Sequence, residues 1–474
     1  MDLPVFHLDF LNNRMLIAVI AILHVVINHG MAVGGIPLVS VLEQRAIATG
    51  DMRWDKLAFR ILTFFFVITT TVGALTGVGI WLSASLVNPY AIGSLIRVFF
   101  WTWFAEWLIF ETEVALILAY YLTWKSWGGS RKQTHANLGK VLSLASWLTM
   151  ALIVSILSFM MDPGSWRTAR SLFSGMFNPV YLPQLAFRTP LAMVMAGAFG
   201  LSSLLWVTER GSEMRTKAVA VLGRWVLWWT PLCVIGGLWY ARAVPAAMKA
   251  NVPIALLTQA LERWSHAALI TLGVAGLAIF VIACWCALRP QLIRGVALVV
   301  PSVLAICLIG TFERVREFIR KPYAIADYLY SNGFRKEDYP MLKRDGILAH
   351  ATYTSVRQIT ESNEIEAGRE VFSLACTRCH TVDGVNGIRD VLSRMYGNDD
   401  AWDRDLLASY IGAMHNARPF MPPFPGNDRE RQALATYLVH LQNQRDVIEG
   451  AQVTGVIAPP RPARKGDGTL FFAH

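Results

Sequence analysis

Charge is scarce in this chain. Asp, Glu, Lys and Arg make up 16% of its 474 residues while hydrophobic residues make up 54%, whereas a soluble domain carries about 25% charged residues. An ordinary soluble fold therefore cannot account for the whole molecule. Cysteine is scarce as well. Of the six, Cys233, Cys284, Cys286 and Cys307 lie in apolar runs, where thiols act as small hydrophobes, so a disulfide scaffold is excluded. The N-terminal Met1-Asp-Leu-Pro lacks the basic segment and small-residue cleavage site of a secretory leader, and the first apolar run is expected to stay as a membrane helix. The formal charge is +10, but the basic residues gather in short loops between apolar runs and no basic helix or RNA-binding motif accompanies them. We read them as orientation signals and exclude nucleic acid as a partner.

What the chain has in abundance is long apolar stretches. Runs of the ~20 residues needed to cross a bilayer fall near 14–36, 58–84, 93–123, 140–161, 186–207, 219–241, 266–287 and 292–311. They predict an all-α fold: a polytopic transmembrane bundle of about eight helices over 1–311, embedded in a lipid bilayer. The loops after the odd-numbered runs carry Arg53 and Lys56; Lys125, Arg131, Lys132 and Lys140; Arg210, Arg215 and Lys217; and Arg289 and Arg294. The loop after the second run carries no charge. By the positive-inside rule the odd loops face the cytoplasm and both termini lie outside.

Residues 312–358 mix charge with tyrosine and proline, and are expected to lie on the outer face of the bundle as a connecting segment. Beyond them stands Cys376-Thr-Arg-Cys379-His380. Paired thiols two residues apart, followed at once by histidine, form the attachment signature of a covalent c-type haem, with the imidazole on the iron. Half of a zinc site is the bland alternative, and no second cysteine pair lies near enough to complete it. Haem of this type is attached outside the cytoplasmic membrane, in agreement with the loop charges. Glu366 to Phe372 reads as a helix whose Gly368 permits a close crossing, and Asn427 to Gln444 as its partner. A helix pair bracketing the motif resembles a class I cytochrome c, and predicts a small all-α domain with one haem over 359–447. A proline-rich basic tail fills 448–474. The sixth iron ligand has three candidates, Met414, His415 and Met421. Met421 is preferred because it opens Met-Pro-Pro-Phe, whose prolines fix the backbone, whereas Met414 lies on an expected helix; a methionine ligand raises the potential.

The apolar part holds ionisable residues that are costly in lipid and therefore functional candidates. His24 and His29 lie in the first run, with His24 the candidate ligand for a non-covalent b haem. Glu106, Glu111 and Glu113 lie in the third; Glu106 and Glu113, seven apart, share a helix face, while Glu111 points elsewhere. Glu317 follows the eighth run.

These residues bring the chain to a family. Residues 10–330 resemble subunit I of the cytochrome bd oxidases. The match rests on Arg14 with His24 ten residues on, Phe110-Glu111-Thr against Leu-Glu-Ser, and Glu317-Phe-Ile-Arg320-Lys-Pro322-Tyr323 against Glu-Tyr-Gly-Arg-Gln-Pro-Trp, with Asn178-Pro-Val and Trp264-Ser265 in order. The resemblance implies that His24 and Glu317 ligate high-spin haem iron, that Arg320 meets haem propionates, and that Glu111 belongs to a proton route. It also implies one or two b haems, d haem as a further option, and a second membrane subunit.

Several positions depart from the family. Its low-spin haem, which takes electrons from quinol, is ligated by a histidine and a methionine that appear here as Arg188 and Leu269, so quinol is disfavoured as donor. His266 nearby, like His29 and Arg188, has no assigned role. A family glutamate aligns with Trp103, for which Glu106 is the substitute. The expectation is an oxidoreductase of the bacterial inner membrane: a periplasmic cytochrome c or other redox donor feeds the c haem, the electrons pass to membrane haems, and a small oxidant such as oxygen is reduced with protons carried by Glu111, Glu113 and Glu106. A relay subunit without catalysis is the alternative, and a plain membrane anchor the weakest reading.

Overall fold

A computed structural model describes residues 6–257, 263–293, 295–397 and 401–453, with side chains as far as 444 in the last stretch. The part of the expected tail from 454 onward lies outside the described residues. Among those described, eight helices are long and apolar enough to cross a membrane: α1 (Asn13–Thr49), α2 (Arg53–Val87), α3 (Pro89–Thr123), α4 (Gly129–Phe159), α5 (Tyr181–Val207), α6 (Glu213–Ala243), α7 (Ser265–Leu288) and α8 (Gly295–Ile319). Among the described residues the chain is all-α apart from one small hairpin, and its bundle is that of a multi-pass membrane protein.

Local chemistry sets the helix ends. The side chains of Asn12, Asn88 and Ser212 accept from the backbone N–H of Met15, Ala91 and Arg215, and Pro89 follows its cap at the position that needs no N–H. The core gathers around α5, the most enclosed helix, and α7 is the most peripheral. Lipid supplies no hydrophobic drive between helices, so close backbone contact replaces it. Gly34 of α1 lies against the Ala192 carbonyl of α5, where any Cβ would collide. The first two helices each carry a π-helical turn, at Asn28–Val33 and Thr69–Gly73, and the two turns adjoin.

The eighth helix runs on to Ile319, past the boundary expected at 311. The extra turns carry Glu313 and Arg316, and both are ion-paired inside the bundle. Strands β1 (Tyr323–Ile325) and β2 (Leu329–Tyr330) then form an antiparallel hairpin, tied to the bundle through Ala326 N–H to the Met160 carbonyl at 3.0 Å. Tyr339 donates to the Pro423 carbonyl at 3.0 Å. The connecting segment is thus packed between bundle and C-terminal domain.

That domain consists of α9 (Glu364–Ala375), α10 (Ile388–Tyr396), α11 (Arg404–Ala417) and α12 (Asp428–Val453). Helices α9 and α12 cross where Gly368 meets the Ala433 carbonyl, a contact closed to any side chain. Phe372, Leu392, Trp402, Leu407, Phe424, Leu434 and Leu438 fill the core. Glu430, 2% exposed, accepts from the N–H groups of Ile347 and Leu348 at 2.8 Å each, capping the short helix Ile347–His350.

Candidate haem centres

Cys376 closes α9, and the chain turns tightly so that Cys379 and His380 both donate their N–H to the Cys376 carbonyl at 3.0 Å. The three side chains of the motif are thereby gathered within one turn. Nδ1 of His380 donates to the Asn386 carbonyl at 3.1 Å, and Asn386 takes a left-handed backbone (φ +59°) that presents it. Fixing Nδ1 as the N–H leaves Nε2 as a lone pair for iron. Burial, only partly offset by that hydrogen bond, pushes the His380 imidazole down to about 4, so it is neutral at neutral pH as a ligand must be. The thiols differ. Burial pushes Cys376 up to about 12, whereas for Cys379 burial is outweighed by Arg14, Lys321 and Arg378, which hold the thiol below its ordinary value.

The three candidates for the sixth ligand are held differently. Met414 packs against the domain core. His415 Nδ1 donates to the Met421 carbonyl at 2.6 Å, and the Met421 N–H bonds the Arg418 carbonyl at 2.8 Å. Met421 is therefore held at both ends of its backbone with its thioether outside the core cluster. Sequence reasoning missed Met395 on α10, whose sulfur accepts from Arg418 at 3.5 Å.

The edge of the domain carrying Cys379 faces the bundle. Arg378 donates to the Val87 carbonyl at the end of α2 at 3.2 Å, and Val385 N–H to Phe10 at 3.3 Å. Phe420 packs on Phe318 of α8 at 5.8 Å. Arg14 joins both parts: one amino group lies 3.8 Å from Cys379 Sγ and the other 3.1 Å from the Glu317 carboxylate, which Arg320 also contacts. The residues matched to the family motif thus lie directly beneath the c-haem motif.

Deeper in the bundle, Arg188 of α5 is 1% exposed, pairs with Glu313 at 2.5 Å and lies 3.1 Å from His29 Nε2; Arg316 pairs with the other Glu313 oxygen at 2.9 Å. Arg14, Arg188, Arg316 and Arg320 face the two carboxylates Glu313 and Glu317, and Arg188 Nε, Arg316 Nη1 and Arg320 Nε are buried without acceptors. Buried cations in excess are costly unless an anion compensates them. A pair of propionate carboxylates has the charge and the acceptors that this end of the bundle lacks, so the residues fit haem.

His24 shows the same preparation as His380. Its Nδ1 lies 3.2 Å from the Gly73 carbonyl and 3.3 Å from Thr76 Oγ1, and Gly73 closes the π-helical turn of α2. With Nδ1 as the donor, Nε2 remains a lone pair with no hydrogen bond among the described residues.

The carboxylates of α3 divide. Glu113 accepts from Ser146 at 2.6 Å and Thr149 at 3.1 Å, both on α4. Glu106 is half-buried on the same face, and Glu111 is exposed on the outer surface of the bundle. Seven residues beyond Glu113, Tyr120 donates to Glu43 at 2.6 Å; Glu43 also meets His135 at 2.5 Å and Lys132 at 2.6 Å. This buried cluster went unnoticed in the sequence, although His135 and Glu43 within largely apolar helices were the available signal. Trp103 packs on Trp81 with the rings tilted by 59° and their centroids 4.4 Å apart. Leu269 and His266 both lie on the exposed face of α7, away from Arg188.

Residues 363–438 match the family described as Cytochrome C oxidase, cbb3-type, subunit III. No curated protein sequence matches the chain. Among solved structures the chain is similar to the bd oxidase of Geobacillus thermodenitrificans, with a TM-score of 0.55 and 18% identity over 67% of this chain and 89% of that one. The helical bundle has the bd oxidase fold, and a cytochrome c domain follows it.

Proposed function

We propose that this membrane protein, a bd-oxidase-like bundle fused to a cytochrome c domain, accepts electrons at a c haem on the outer face of a bacterial inner membrane, passes them to b- or d-type haem in the bundle, and reduces a small oxidant such as oxygen. The observation that carries this reading is Arg14, which touches both Cys379 of the c motif and Glu317 of the bundle. Haem, when bound, would supply one-electron redox chemistry in both parts. The residues do the rest. Cys376 and Cys379 would anchor the c haem, His380 and Met421 would ligate it, and His24 and Glu317 would offer ligands in the bundle, with Arg320 and its neighbours for the propionates. Ser146 and Thr149 hold Glu113 in place to carry protons, with Glu106 on the same face. Arg188, turned into an ion pair with Glu313, replaces the histidine that a quinol-side haem needs, and a soluble or periplasmic donor replaces quinol. Glu111, with exposed Trp101, Phe104 and Trp107 on the same helix, faces lipid or a second membrane subunit.

The second reading is a relay subunit that passes electrons between partners without reducing an oxidant. Trp103 favours it, since its indole, packed on Trp81, occupies the position of a family glutamate. One preparation decides. Pyridine haemochrome analysis counts c, b and d haem, and a reduced-plus-CO spectrum reports an open iron site. The oxidase reading expects c haem with b or d haem and a CO response. Membrane haem without a CO response leaves the relay, and c haem alone sinks both.

A further inference from the structure

Lys321 follows α8 at the seam between bundle and cytochrome c domain, where the family motif places glutamine. Its surroundings are unusual for an ammonium group. The Nζ lies 4.2 Å over the Phe318 ring, and Phe318 packs on Phe420 of the cytochrome c domain. The backbone is fixed on both sides: the Lys321 N–H bonds the Phe318 carbonyl at 3.0 Å, and Asn251 donates to the Lys321 carbonyl at 2.9 Å. Burial dominates its surroundings; the Arg14 guanidinium repels it and the Cys379 sulfur attracts it, and His380 senses Lys321 in turn. No ion pair to Lys321 forms among the described residues, and the Glu317 carboxylate four residues back in the sequence is already shared by Arg14 and Arg320.

A half-buried ammonium that senses the Arg14 guanidinium and has no carboxylate of its own is costly unless an anion joins it. We infer that Lys321, together with Arg14, forms a seat for a haem propionate at the seam between the two parts of the chain, and so links the potential of that haem to the docking of the cytochrome c domain. The inference rests on the haem-carrying reading above. The shared chemistry is a carboxylate, which either the c haem or the bundle haem supplies. A cation on a propionate neutralises the charge that disfavours the reduced haem, and raises its potential.

The test uses the full-length membrane-extracted chain with Lys321→Gln, which restores the glutamine of the family motif, and Lys321→Arg. Each is titrated potentiometrically at the separate absorption bands of c and b haem, and redox-induced infrared difference spectra follow the propionate carboxylates. In Lys321→Gln one haem should become harder to reduce by about tenfold, ~59 mV for a one-electron couple, with a shifted carboxylate band; Lys321→Arg should keep both near wild type. A shift at the c band assigns the carboxylate to the c haem, and one at the b band to the bundle haem. Unchanged potentials and carboxylate bands in Lys321→Gln overturn the seat, and so does a shifted potential with unmoved carboxylate bands, which is a through-space effect only. A wild-type chain without b or d haem removes the functional reading, and the c band still tests Lys321.

Discussion

Arg14 and the two histidines with committed Nδ1 atoms hold most of the chemistry at the residue scale. His24 and His380 are each tied through Nδ1 to a backbone carbonyl, Gly73 and Asn386, so the same tautomer is set twice. Replacing His24 with Ala should remove a b-haem signal and leave the c-haem absorbance intact; an unchanged b spectrum would exclude His24 as a ligand. His415 acts one step away, through the Met421 carbonyl. In His415→Ala the sulfur-to-iron charge-transfer band of the oxidised c haem should weaken while covalent haem content stays constant, and an unaltered band would show that the prolines alone hold Met421. The cysteine–histidine motif is legible from its spacing and the preference for Met421 from the prolines beside it, both local signals, whereas the Glu317 motif entered through the family resemblance. Arg14 on Cys379 was not legible, since 365 residues separate the partners and no local pattern encodes such a contact. The same holds for Arg188, which the sequence showed only as a missing histidine and the structure shows as half of an ion pair with Glu313.

At the scale of elements, the apolar runs announced the eight long helices found among the described residues, because period and length are properties of single segments. Their ends were less legible. The eighth helix keeps its charged last turns because α5 supplies Arg188 to Glu313, a tertiary compensation that hydropathy does not register. Removing one partner of a buried pair strands the other. Arg188→Leu should therefore destabilise the bundle by about 3–5 kcal/mol, measured as thermal unfolding in detergent; an unchanged midpoint would mean that Glu313 finds Arg316 sufficient. The division of the α3 carboxylates was half legible: the seven-residue spacing put Glu106 and Glu113 on one face, but nothing local indicated that Ser146 and Thr149 would meet Glu113. Glu430 illustrates the same limit in the cytochrome c domain. It reads as a surface residue of a terminal helix, yet its carboxylate caps Ile347–His350. Its replacement by Ala leaves buried N–H groups unpaired and should cost about 2–3 kcal/mol in chemical denaturation of the domain, with the bundle unaffected.

Over the whole molecule, the cytochrome c domain sits with its Cys379 edge on the bundle, and the Arg320 and Lys321 end of α8 lies below it. The sequence supplied both parts and an expectation of the side of the membrane on which they meet, while the way they face each other is a product of folding. That orientation is the central claim: the c haem and a bundle haem are neighbours within one chain. Rapid photoreduction of the purified chain, followed at the c and b absorption bands over a range of protein concentrations, tests it most directly. The account predicts that the c band reduces first and the b band follows by a first-order process whose rate does not change with protein concentration. A b band that stays oxidised, or that reduces at a rate proportional to concentration, would contradict it.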